Sequence, residues 1–266
     1  MLLHARKTGE GYPLVILHGL FGAGDNWASI SRSLVTRGLP VEVSSLDLRN
    51  HGLSPHATAM DYPALAEDVR ETLAHAGIRE YHLLGHSMGG KVALQLACNS
   101  AAHDDPHIKS LTIVDIAPRA YRPSHQTILD ALNSLEPARI KSHGDASEQL
   151  TAAIPAPELR QFLLKNLRRN PAGGYRWQLN LGALTAGYPD LLKAPEFTHQ
   201  FMGPAQLIRG AKPADRYVNE EDLGLLKQWC PHLEPHTIED AGHWPHATHA
   251  PQVVAILLAF LGDHTP

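Results

Sequence analysis

Cysteine is nearly missing from these 266 residues: only Cys98 and Cys230 occur, and they have no C-x-x-C spacing. The expectation is two free thiols in a reducing, cytoplasmic setting. Long apolar runs are also missing, and Met1-Leu2-Leu3-His4-Ala5-Arg6-Lys7 lacks the basic start, apolar stretch and small-residue cleavage site of a leader. A soluble, unexported chain with no membrane span is expected. The 23 Lys and Arg residues are outnumbered by 27 acidic ones, and the cations form no run longer than a pair such as Arg168-Arg169. Nucleic acid is not an expected partner. No repeat or low-complexity tract appears, so the length fits one large domain, or a core with an insertion, able to bury a substantial core.

What is present centres on Gly85-His86-Ser87-Met88-Gly89-Gly90. The stretch follows the apolar run Tyr81-His82-Leu83-Leu84 and opens a helical pattern from Lys91 to Asn99, which reads as strand, tight turn and helix. In a G-x-S-x-G turn the serine takes a sparsely allowed backbone conformation, and the glycines two residues either side sit where a Cβ would collide. Such strain serves to present a nucleophile. An ordinary glycine-rich turn capping a helix is the alternative, and flanking context decides between them.

That context continues along the chain. Residues 2–7 suit an edge strand, and Pro13 to Leu17 is an apolar run suited to a strand buried on both faces. It ends in His18-Gly19-Leu20-Phe21-Gly22 before a helix expected from Asp25 to Arg37, with Asp25 as its N-cap. The turn at His18-Gly19-Leu20 is a plain strand-to-helix link or an oxyanion hole, in which the Leu20 and Met88 amides face a developing negative charge. Val41 to Leu46 is the next strand. In the following Asp47-Leu48-Arg49-Asn50-His51-Gly52, a pairing of Asp47 with Arg49 is expected, while Asn50 and Gly52 tolerate positive φ. A helix from Asp61 to Ala76 carries apolar residues at helical spacing, and Ile108 to Val114 is a further buried strand that ends in Asp115.

From Arg119 to Phe201 the strand–helix alternation stops. Helical segments dominate there, broken by Pro137, Pro155, Pro157, Pro171 and Pro189, and the stretch is too long for a simple connection. It reads as a lid (119–201) over the carboxyl edge of a core made of 1–118 and 202–266. Phe162, Tyr175 and Trp177 are candidate pocket walls, with burial in the lid's own core as the alternative. The alternation resumes at Ala205 to Gly210 and closes with a strand at Leu233 to Ile238, the turn Asp240-Ala241-Gly242-His243-Trp244 and a helix from Gln252 to Leu261. His243 therefore follows Ser87, as the order serine, acid, histidine requires.

The stretches HGLFGAGDNW, DLRNHGLSP, MDYPALAEDV, GHSMGGKVAL, VDIAP and AGHWPHA, in this order, resemble the α/β-hydrolase fold superfamily and, more narrowly, the YbfF-like bacterial acyl esterases and their mitochondrial relatives. The resemblance implies a mostly parallel, twisted sheet of seven to eight strands with helices on both faces and a lid inserted after the sixth strand. It further implies Ser87 as nucleophile, His243 as general base and acid, and Leu20 and Met88 as oxyanion donors. Where most of the superfamily carries its acid, this chain has Pro213, which cannot orient an imidazole. Two substitutes remain: Asp115, which the YbfF-like pattern favours, and Asp215, two residues past the usual place.

The expected activity is cofactor-free hydrolysis of a small-molecule carboxylic ester or acyl thioester through an acyl-enzyme. Serine-dependent aminopeptidase or carbon–carbon bond hydrolase chemistry uses the same residues, and a non-catalytic receptor on the same scaffold is the rival from another class. The spacing His243-x-x-His246-x-x-His249 spreads its rings around a helix, so no metal site is expected.

Overall fold

The computed structural model describes residues 1–99, 107–171, 173–213 and 217–265. Seven strands form one sheet: β1 (Ala5–Thr8), β2 (Tyr12–Leu17), β3 (Val41–Leu46), β4 (Glu80–His86), β5 (His107–Val114), β8 (Ala205–Gly210) and β9 (Leu233–Ile238). Their order is β1-β3-β2-β4-β5-β8-β9, and every pairing is parallel except the antiparallel edge pair β1–β3. Two short strands, β6 (Leu167–Arg169) and β7 (Tyr175–Trp177), make a separate antiparallel hairpin.

The continuous apolar runs follow from burial on both sides. Along β2, Val15 and Leu17 enter one core with α2 (Tyr62–His75) and α3 (Met88–Ala97), while Leu14 and Ile16 enter a second core with α1 (Ala28–Thr36) and the last helix (Ala250–His264). A period of two thus sorts one strand between two cores. All ten residues of α3 are buried, because this helix lies between the sheet, α2 and the insertion.

Local expectations fare unevenly. Asp61 caps α2 by accepting from the Ala64 amide at 2.8 Å, and Asn50 (φ 65°) and Gly52 (φ 54°) do take left-handed backbone. Asp25, however, lies inside a 3-10 turn, Gly24–Trp27, that precedes α1, and it pairs with Arg6 at 2.7 Å instead of capping a helix. Asp47 and Arg49 do not pair with each other. Asp47 accepts from the Gly24 and Leu53 amides at 2.7 and 2.9 Å, which fixes the turn, so Arg49 reaches back to α2 and grips both oxygens of buried Asp68 at 2.6 and 2.8 Å.

Between β5 and β8 the chain leaves the sheet for α4 (Gln126–Ser134), α5 (His143–Gln149), α6 (Pro157–Leu164), the β6–β7 hairpin and α7 (Leu181–Leu192). Counted along this chain, the departure follows the fifth strand, because a single edge strand precedes β2. Pro189 does not break α7; buried Leu184, Tyr188 and Leu191 hold the helix through it. The segment is tied to the carboxyl edge by the Asn166 amide group on the Phe21 carbonyl (2.8 Å), the Asn180 backbone amide on the Asn50 carbonyl (3.0 Å) and the Tyr62 hydroxyl on the Leu191 carbonyl (2.6 Å). No helix among the described residues is long and apolar enough to cross a membrane.

Candidate active site

Ser87 stands between β4 and α3 with φ 52° and ψ −120°, a conformation that costs an L-residue energy. The turn closes so tightly that a Cβ on Gly85 would lie 2.2 Å from the Gly89 carbonyl oxygen, and one on Gly89 would lie 2.4 Å from that of Leu17. Glycine is sterically required at both positions. The Ser87 amide donates to the Val114 carbonyl at 3.0 Å, fixing the turn to the neighbouring strand.

Strand order decides which side chains meet. Ser87 follows β4, Asp115 follows β5, and His243 follows β9, two strands further across the sheet. Ser87 Oγ lies 2.9 Å from His243 Nε2, and His243 Nδ1 lies 2.8 Å from Asp115 Oδ2. With Nδ1 protonated, His243 donates to Asp115 and accepts from the serine hydroxyl. Asp115 is fully buried, has φ 50°, and its Oδ1 accepts from the Gly210 amide at 3.0 Å, so both carboxylate oxygens are engaged. Asp215 lies outside the described residues.

Leu20 and Met88 flank the serine as the motif order places them, and both line cavities that reach Ser87. The loop bearing Leu20 is held by two histidines that were legible only as parts of motifs. The Leu48 amide donates to His18 Nε2 at 2.9 Å and His18 Nδ1 donates to the Gly19 carbonyl at 2.8 Å. The Phe21 amide donates to His51 Nε2, and His51 Nδ1 donates to the Arg49 carbonyl at 2.8 Å. Each ring uses one nitrogen as donor and the other as acceptor, which requires neutral imidazole. Burial enforces that state, pushing His18 down to about 4 and His51 down to about 3.

Further side chains frame His243. The ring of Tyr217 stacks on it with centroids 3.5 Å apart, and His86 Nε2 donates to its carbonyl at 2.8 Å. His246 stacks on buried Trp27 and, like His243, packs against His86, whereas His249 contacts Thr248. Among the described residues no group of three His, Cys, Asp or Glu side chains converges as metal ligands would.

A cavity of about 190 Å³ opens onto Ser87 and His243, walled by Trp244, Phe162, Leu159 and Ile128. Of the expected pocket walls only Phe162 borders it. Tyr175 is buried against His143, and Trp177 packs beside the core. Across Ser87 a smaller cavity of about 50 Å³ is bordered by Tyr62, Lys91 and Tyr121.

The chain as a whole is similar to known proteins. The chain is 33% identical to the esterase YbfF of Escherichia coli over 263 residues, covering 97% of this chain and 96% of the relative. It is 37% identical to the sn-1-specific diacylglycerol lipase ABHD11 of Xenopus tropicalis over 246 residues, covering 90% of this chain and 75% of the relative. A solved marine microorganism esterase superposes with a TM-score of 0.91 at 36% identity, covering 98% of this chain and 99% of its own. Residues 12–250, from the first central strand to the start of the last helix, match the family model for the alpha/beta hydrolase fold, and it is to that family that the chain belongs.

Proposed function

We propose that the chain is a serine hydrolase of small-molecule carboxylic esters or acyl thioesters, with Ser87, His243 and Asp115 as its catalytic residues. The observation that carries the reading is the run of two contacts, 2.9 and 2.8 Å, joining Ser87 through His243 to a buried carboxylate. His243 Nε2 takes the hydroxyl proton as Ser87 Oγ attacks the acyl carbon, and Asp115 holds the ring in the required tautomer and offsets its charge. The carbonyl oxygen becomes an oxyanion facing the Leu20 and Met88 amides. His243 then protonates the departing alcohol or thiol, and water repeats the sequence on the acyl-enzyme.

Residues 119–201 act as a lid on a core formed by 1–118 and 202–266. Phe162, Leu159 and Ile128 of this segment border the larger cavity, which supports that division. The buried free thiols Cys98 and Cys230 suit a reducing cytoplasm.

The test pairs hydrolysis of p-nitrophenyl butyrate with labelling by a fluorophosphonate, in wild type and Ser87→Ala. Wild type should hydrolyse and label, and the variant should lose about 10⁶-fold in turnover and all labelling. A wild-type protein that neither hydrolyses nor labels would instead favour a receptor on this scaffold.

A further inference from the structure

Two cavities meet at Ser87, and their walls assign them different halves of the substrate. His243 borders the cavity of about 190 Å³ but not the one of about 50 Å³, whereas Met88 borders only the smaller. The group that leaves must sit where His243 can protonate it. The acyl chain must then run the other way, past the Met88 amide.

Lys91, one helical turn beyond Met88 and only 1% exposed, lines the smaller cavity. Its ammonium group is fixed from three directions. Nζ donates to the Lys193 carbonyl just after α7 at 2.7 Å, and it lies 5.3 and 5.0 Å from the ring centroids of Tyr62 on α2 and Tyr121 after β5. A lysine held this way is a stem of known length laid across the end of a chamber. Leu191 and Leu192 of α7 form its side wall.

Resting on the ester-hydrolase reading, we infer that the smaller cavity is the acyl chamber and that Lys91 is the specificity-determining residue that sets its depth. A volume of about 50 Å³ is about a third of that of a cavity able to hold benzene, and so suits an acyl chain of about two to four carbons. The bulk of the substrate lies in the leaving group, which the larger cavity receives.

The experiment is kcat/KM for p-nitrophenyl acetate, butyrate, hexanoate, octanoate and decanoate with wild type, Lys91→Ala, Lys91→Met and Leu192→Ala, alongside fluorophosphonate labelling of Ser87. Wild type should peak at acetate or butyrate and fall about tenfold or more by octanoate. Lys91→Ala, which removes the stem, should raise octanoate relative to butyrate by about tenfold; Lys91→Met, which keeps it, should retain the short-chain peak. Leu192→Ala should move the peak in the same direction as Lys91→Ala, and it decides the matter if Lys91→Ala does not fold. A wild-type enzyme that labels and hydrolyses decanoate as well as butyrate overturns the inference alone. So does a peak that stays in place in every folded variant. Absence of both labelling and hydrolysis overturns the underlying reading instead.

Discussion

Asp115 divides its carboxylate between two neighbours: Oδ2 meets His243 Nδ1 at 2.8 Å, and Oδ1 accepts from the Gly210 amide at 3.0 Å. An asparagine here retains one oxygen but presents an amide group to a second neighbour. If that group faces His243, the ring must turn or change tautomer. Asp115→Asn is therefore expected to lose about 10⁴-fold in kcat. Asp215→Asn should stay near wild type, and the opposite result would transfer the acid role to Asp215.

The elbow glycines make a prediction about folding. A methyl on Gly89 would meet the Leu17 carbonyl at 2.4 Å and the His18 carbonyl at 2.6 Å, both backbone atoms with little room to give. Gly89→Ala should cost about 3 kcal/mol or more in urea denaturation, whereas Gly224→Ala, where a Cβ meets nothing within 4 Å, should be neutral or stabilising.

His18 offers a separation of turnover from binding. Its two hydrogen bonds set the turn that carries the Leu20 amide, so His18→Leu should lower kcat by about 10²-fold with a smaller change in KM. Its protonation gives a second readout. The folded value near 4 lies below the ordinary 6.5, so the unfolded chain binds the proton more readily between them, and stability falls as pH drops through that window. His18→Leu should flatten this part of the stability profile.

Lys91 gives a signature of the same sign at higher pH. Burial, with a smaller contribution from Arg119, lowers it from 10.5 to about 7. Between those values the unfolded chain holds more protons than the folded one, so stability should rise from about pH 7 toward 10.5. Urea midpoints of wild type and Lys91→Met across this range should diverge in favour of wild type as pH increases. Parallel curves would mean that Lys91 keeps its charge.

The parts legible in the sequence are those written locally. Ser87 is announced by glycines two residues away, and β2 by a continuous apolar run that only two-sided burial explains. The contact of Asp115 with His243 is different in kind. It depends on β5 lying between β4 and β8, and adjacency of strands distant in sequence leaves no mark on any short stretch. Lys91 has no such local mark either: a lysine in a helix usually faces water, but α3 is enclosed by the sheet, α2 and the insertion, so even this side chain is buried. Asp47 and Arg49 were near enough to suggest a pair, yet a better-shaped partner was waiting on α2.

The bond from Asp115 to Gly210 also links durability to chemistry. Gly210 ends β8, and a Cβ there would meet the Ala241 and Gly242 carbonyls at 2.4 and 2.5 Å, immediately before His243. One carboxylate therefore fastens the carboxyl end of β8 and holds the ring of His243 with the same pair of oxygens. A substitution at this position that alters one of these duties therefore alters the other.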